Sequence, residues 1–388
     1  MIAVRKNLRN GKEPFTNGTS FIQLSDVQHY CPSAIFGVAC FSMKSPAFAI
    51  KCLVAFVLLC SKITGTNAQT LGGQSGYSFL KLANAPQLAA LGGINTAVIT
   101  NDVALSFYNP ALLRKEMNQQ LQVSFNSLYA GIKNYNAVYA FHHAKSGTNF
   151  STGVQFLNYG SITQTTPAGV VYGNFRPTDV ALQVSASKKY ENKWFYGATL
   201  KYIGSNYGLF TSSAIAMDAG AAYYDSARLF QVSLLLKNMG TAIKLYQGAA
   251  ADDLPFDIQI GFTKRLAKAP LQFSITAHHL HRYNISYNDT SFTNESSISN
   301  KKITADKLLQ HVVFATQLFI TDKVELTLGY NYLTNKELKI PNTTNGLTGF
   351  SMGVGVLFKK LQFRYARSHY QNNTGFNQLG LNIFLNQL

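Results

Sequence analysis

The chain has 388 residues, 46% of them hydrophobic, and a formal charge of +17. Its longest apolar run, Cys52–Cys60, is far short of the ~20 residues a membrane-crossing helix needs, so no such helix is expected. The basic residues are scattered, often in turns, instead of clustered with aromatics on one face, which argues against a nucleic-acid partner.

Residues 43–68 carry the three parts of an export signal. Lys44 and Lys51 supply the charged start, Cys52–Cys60 the apolar centre, and Thr66-Asn67-Ala68 the small residues at a cleavage site. Gln69 is the expected first residue of the mature protein. Leu59 before Cys60 argues against a lipid-bearing cysteine. Such a signal works from an N-terminus. Residues 1–42 are therefore expected to be a spurious extension, with translation starting at Met43. All four cysteines (Cys31, Cys40, Cys52 and Cys60) precede residue 69, so no disulfide framework or thiolate metal site is available beyond it.

The stretch 69–119 differs in character from the remainder of the chain. Phe79–Leu91 is rich in alanine and leucine but holds Pro86, which predicts a broken helix ended by Gly92-Gly93. Asn109-Pro110-Ala111 reads as a helix start, with Asn109 as N-cap and proline in first position.

From Leu121 onward the chain alternates. The clearest stretch is 254–280. Phe256, Ile258, Ile260 and Phe262 alternate with Asp257, Gln259, Gly261 and Thr263. After the turn 264–270, Leu271, Phe273, Ile275 and Ala277 alternate with Gln272, Ser274, Thr276 and His278. A period of two over two runs predicts a hairpin with one greasy and one wet face. About fourteen such strands succeed one another, most near the ~9–11 residues that cross a bilayer at a tilt. Short links alternate with long polar ones at 159–177, 238–255, 280–308 and 334–349, as in barrels with tight turns at one end and long loops at the other. The wet faces carry Gln, Ser, Thr, Asn and Gly more than Lys and Glu, which suits an enclosed lumen better than a soluble surface.

The predicted fold is therefore all-β: a closed transmembrane antiparallel barrel over 120–388. Tyr202, Tyr223, Tyr224, Tyr330, Tyr332, Tyr365 and Tyr370, near strand ends, are expected in interfacial girdles. A barrel this wide cannot fill its interior with wall side chains alone, so 69–119 is expected to be a partly helical plug.

No nucleophile–base pair, cofactor motif or catalytic residue stands out, and the chain is not read as an enzyme. His278, His279 and His281 are the densest set of potential ligands. Neighbours on a strand point to opposite faces, so no metal site is expected there. Asp257, on the wet face, is expected to face the lumen and touch the plug. Gly353 and Gly355 sit on the wet face of a strand and open no helix, so they form no phosphate loop; they are expected to admit the plug or a bend.

With these features, the chain from 69 to 388 resembles the PorV/PorQ branch of the FadL superfamily of outer-membrane barrels, which serves the type IX secretion system. The residues carrying the resemblance are Ala89–Gly93, Ala104–Leu112 around Asn109, Pro110 and Ala111, Lys237–Gly240, and the block 254–280, which is most like the PorQ type. The resemblance implies a non-enzymatic component in the cell outer membrane. It would hold a surface protein of the PorZ type near PorU and PorV, with no cofactor. It does not assign the partner-binding residues; loops 159–177, 238–255 and 280–308 are where they are expected. The rival expectation is a FadL-like transporter of hydrophobic small molecules, with an outer-membrane hydrolase third. Many outer-membrane barrels end on an aromatic residue; here Phe384 precedes Leu385–Leu388.

Overall fold

The computed structural model describes residues 76–246, 253–285, 304–338, 346–371 and 374–385. The expected extension at 1–42 and export signal at 43–68 lie outside them.

Fourteen strands close into one antiparallel barrel. They are β1 (Gln120–Ser127), β2 (Lys133–His143), β3 (Thr148–Asn158), β6 (Thr178–Tyr190), β7 (Trp194–Tyr207), β8 (Phe210–Asp225), β9 (Phe230–Lys244), β10 (Asp257–Arg265), β11 (Leu271–Ala277), β12 (Val312–Thr321), β13 (Val324–Asn331), β14 (Phe350–Phe358), β15 (Leu361–Gln371) and β16 (Thr374–Phe384). Every strand pairs with its neighbours in chain order. The ring is sealed by β1 against β16, from Gln120 opposite Phe384 to Ser127 opposite Asn377. Closure removes both sheet edges, so no row of unpaired backbone groups remains.

The connections sort by length. At one end lie 144–147, 191–193, 226–229, 266–270, 322–323 and 359–360. The other end carries 159–177, 245–256, 278–311 and 332–349, together with the short links 128–132 and 208–209. Three of these long connections are more structured than alternation suggested. The loop 159–177 holds a hairpin of its own, β4 (Ile162–Thr165) with β5 (Val171–Phe175). Short helices at Ala305–Gln310 and Tyr332–Glu337 lie mostly within the links expected at 280–308 and 334–349. Asn331 caps the second by accepting the Thr334 N–H at 3.1 Å, a stop that strand periodicity does not register.

Which face looks inward is plain along β7. Phe195, Thr199, Lys201, Ile203 and Ser205 are buried, whereas Trp194, Tyr196, Leu200 and Tyr202 are exposed. β10 and β11 repeat the arrangement: Gln259, Thr263, Gln272, Ser274 and Thr276 are buried, and Ile260, Phe262, Phe273 and Ile275 are exposed. The hydroxyl and amide faces line the interior and the apolar faces point out. Leu200, 64% exposed near the middle of β7, tests this. Leu200→Arg is expected to cost about 2–4 kcal/mol in lipid vesicles, as charge does on a lipid face. Denaturant unfolding of the variant in vesicles checks it.

Aromatic residues gather at both ends of the outward face. At the short-turn end Phe141 stacks on Phe150 at 5.3 Å, Trp194 meets Tyr223 at 5.0 Å, and Phe358 meets Phe363 at 6.1 Å. At the long-loop end Phe125 meets Tyr135 at 5.2 Å and Tyr330 meets Phe350 at 4.5 Å. Of the tyrosines expected in girdles, three depart: the Tyr224 ring lies 4.4 Å beneath the Arg114 guanidinium, which belongs to the interior, Tyr332 opens a loop helix, and Tyr370 lines a cavity inside the barrel. Tyr223 and Tyr224 are adjacent on β8, so only one of them can face out.

Candidate functional site

Residues 76–119 run inside the barrel. The break predicted at Pro86 separates a 3-10 turn, Ser78–Lys81, from a short helix, Pro86–Ala90. Gly92 (φ 91°) and Gly93 (φ 83°) end the helix, with the Gly93 N–H donating to the Leu88 carbonyl at 2.9 Å. A second helix, Ala104–Tyr108, leads into the 3-10 turn Pro110–Leu112. The apolar residues of this segment form the interior core. Leu88, Leu91, Leu105, Leu112 and Leu113 are all fully buried or nearly so.

The wall is cut to receive it. A side chain at Gly153 would strike Phe107, one at Gly197 would strike Pro110, and one at Gly220 would meet Asn109 and Ala111. Gly261 faces Thr96 and Ala97, Gly329 faces Ala90–Gly92, Gly353 faces Ala90, and Gly380 faces Pro86. These glycines sit on seven different strands, so the trough runs round much of the barrel. Glycine in a strand weakens it, and here the return is close backbone approach. Gly353 thus admits the interior segment, as its wet-face position suggested. Gly355 instead makes room for the side chains of Glu325 and Arg364.

Polar contacts hold the segment in register. Asn109 caps the turn by accepting the Ala111 N–H at 3.0 Å, as its spacing predicted. Its amide also donates to the Thr96 carbonyl and to Ser233 Oγ, both at 2.8 Å. Pro110 lies against β7 and Ala111 against β8, so the three residues join segment to wall. Tyr108 donates to Gln259 Oε1 at 2.8 Å, and the Lys237 ammonium lies 3.6 Å from its ring centre.

Charges do the same near the short-turn end. Arg364 Nε meets Asp102 at 2.8 Å, while its Nη1 pairs with Glu325. Asp102 also accepts the Ala104 N–H at 2.9 Å, capping the second helix. Arg114 is wedged between the rings of Tyr224 and Phe195 and donates to Gln231. Sequence reading missed this set. The available signal was a charge on a lumen-facing position, such as Arg364 between Phe363 and Tyr365.

Lys237–Gly240 proves to be a β-bulge. Asn238 has φ 56° and the register against β8 shifts between Met217 and Ala219. Its N–H donates to Asp218 at 2.7 Å and its amide to the Pro255 carbonyl at 2.9 Å. Lys201 pairs with Asp218 at 2.6 Å beneath it.

A cavity of about 260 Å³ opens between the segment and the wall toward the long-loop end. Phe79, Leu82, Leu128, Ile132, Leu157 and Phe376 make it mostly apolar. At its rim Tyr159 donates to Asp179 at 2.6 Å, and burial together with that bond raises the Tyr159 phenol above its usual range.

The histidines depart from expectation. β11 ends at Ala277, and His279 has φ 54°. That left-handed residue turns the chain, so His278 and His279 do not point to opposite faces. Their Nδ1 atoms face each other at 2.5 Å. Asp257 does face the interior: it accepts the His279 N–H at 2.6 Å and Gln259 Nε2 at 2.7 Å, and its charge reaches Lys81 of the interior segment. His281 lies 6.1 Å from His279, ring to ring.

The interior is thus packed with protein, and the apolar residues that remain form an outward band flanked by aromatic rings. Water covers such a band only at a large cost; hydrocarbon covers it freely. Among the described residues no helix is long and apolar enough to cross a membrane, so the strands do the crossing. The chain is a membrane-embedded β-barrel. No protein-family model and no curated protein matches its sequence. Among solved structures it is similar to a deltaS2 mutant of the TodX monoaromatic hydrocarbon channel, with 12% identity over 78% of this chain and 98% of that one, TM-score 0.43. A FadL homologue of Pseudomonas aeruginosa matches at 11% identity over 78% and 98%, TM-score 0.41. Omp33 of Acinetobacter baumannii matches at 10% over 69% and 97%, TM-score 0.35. At these scores the likenesses carry no argument about what the barrel handles.

Proposed function

We propose that the barrel is a non-enzymatic component of the outer membrane that anchors a surface partner through its long-loop end. In this reading it is a FadL-superfamily barrel of the PorV/PorQ branch. It serves type IX secretion by holding a PorZ-type protein near PorU and PorV. The observation that carries the anchoring role is the occupied interior: a wall cut with glycines and a segment tied by Asn109 and Arg364 suit a closed support better than an open pore. The structured loops, with β4–β5 and two short helices, offer a built surface for a partner.

Deleting the gene is the test. Cargo that stays unprocessed, or is shed into the medium, is the expected result. Cargo processed and attached as in the parent strain would overturn the role. A second reading, transport of hydrophobic small molecules, is favoured by one observation, the mostly apolar cavity of about 260 Å³. Organic extraction of the purified barrel separates the two: stoichiometric fatty acid or hydrocarbon, lost in Leu157→Arg, would favour transport.

A further inference from the structure

We propose that Asp257, His278 and His279 form a binding site for a divalent transition metal of the zinc class, at the long-loop end of the barrel. One donor atom from each residue lies within 4.8 Å of the others. Zinc takes imidazole and carboxylate ligands at ~2.0–2.2 Å, so two ligands of a tetrahedral ion stand about 3.3 Å apart. His279 Nδ1 is 3.8 Å from Asp257 Oδ2 and 2.5 Å from His278 Nδ1. Small ring rotations, opening one gap and closing the other, reach that spacing.

Three features set this cluster apart from histidines that merely share a surface. First, the left-handed backbone at His279 (φ 54°) is uncommon for a side-chain-bearing residue, and it is what brings the two rings together. Second, the carboxylate is already oriented: Oδ1 accepts the His279 N–H and Oδ2 accepts Gln259 Nε2, as outer partners orient metal-bound carboxylates. Third, His278 is fully buried and its Nδ1 edge faces His279 Nδ1, so the ring presents a ligand atom to the cluster and not to solvent.

Burial, reinforced by the neighbouring His279, takes His278 down to about 3, and burial also lowers His279. Lys81 and Arg282 lie close enough to disfavour charge on His279, and they oppose a cation as well; the Asp257 carboxylate acts against them.

Two imidazoles and one carboxylate suit zinc, cobalt or nickel. Calcium and magnesium, which take oxygen ligands, fit poorly. His281 is the nearest further donor: its buried Nδ1 has no hydrogen-bond partner in the protein. His311 is not available in the same way. Its ring nitrogens lie 2.8 Å and 3.1 Å from the carbonyls of His278 and Tyr283, which pins the segment after β11. A bound ion would therefore staple the start of β10 to that segment.

The test uses the full chain without a histidine tag, purified in detergent and stripped with chelator. Cobalt(II) is the probe, since its visible absorption reports tetrahedral nitrogen and oxygen ligation. The expected result is one cobalt per chain, displaced one for one by zinc and untouched by magnesium. His279→Ala and Asp257→Asn should each weaken retention about tenfold or more, with barrel assembly verified by heat-dependent gel mobility. Should a variant fail to assemble, histidine modification of the wild type decides. Zinc should shield His279 from acylation and leave His143, at the short-turn end, reactive. No stoichiometric cobalt, unchanged retention in the variants, or equal reactivity of His279 with and without zinc would overturn the site.

Discussion

Gly329→Leu is expected to drive the interior segment out of its seat. A side chain at this position would meet the Ala90 carbonyl oxygen at 2.5 Å and the Leu91 carbonyl carbon at 2.6 Å. Both are backbone atoms and cannot swing aside as a side-chain tip can. Ser351 Oγ donates to the same Ala90 carbonyl at 3.0 Å, so a contact is lost as a clash is gained. The overpacking costs about 1–3 kcal/mol, and the segment yields before the closed ring of strands does. Conductance in planar bilayers should rise from background to a porin-like current, and protease should cut within 86–112. Gly204→Ala is the control, because its outward position meets nothing nearer than Val180 at 3.4 Å. A closed, protease-resistant Gly329→Leu barrel would refute the seat.

Arg364→Ala should have the other large effect. The guanidinium is nearly buried between Asp102 of the interior segment and Glu325 of β13. Removing it leaves two carboxylates without their cation in a confined interior. Breaking a buried pair in this way costs about 3–5 kcal/mol, more than the intact pair itself contributes. The loss should appear as easier urea unfolding in detergent and as earlier proteolysis of residues 98–104. Adding Asp102→Asn and Glu325→Gln to Arg364→Ala should recover much of it, because neutral amides are cheaper to leave half-paired. Failure of that rescue would mean that Arg364 matters for packing and not for charge.

Much of the architecture was legible in the residue order. Alternation along 256–263 and 271–278 marks strand, face and hairpin together, because a strand places successive side chains on opposite sides. The same rule, applied over 120–388, finds every barrel strand, and the sorted connections disclose two unlike ends. Asn109 and Pro110 mark their turn because capping is local chemistry. Local rules fail where a single residue breaks the period. Asn238 shifts β9 against β8, and His279 folds its ring back toward His278. Before β12 and after β13, short helices stand in stretches expected as polar links, since a turn or two of helix leaves no clear period.

The alternation of greasy and wet residues marked strands with two unlike faces, and the sorted links and uncharged wet faces turned the oily side outward. Which interior atoms meet is not contained in any window of the chain. Ala90 and Ser351 are 261 positions apart, and only the sealing of β1 against β16 makes them neighbours. The trough of glycines, the Asp102–Arg364 pair and the convergence of Asp257 on His279 exist because closure folds distant strands around one shared axis.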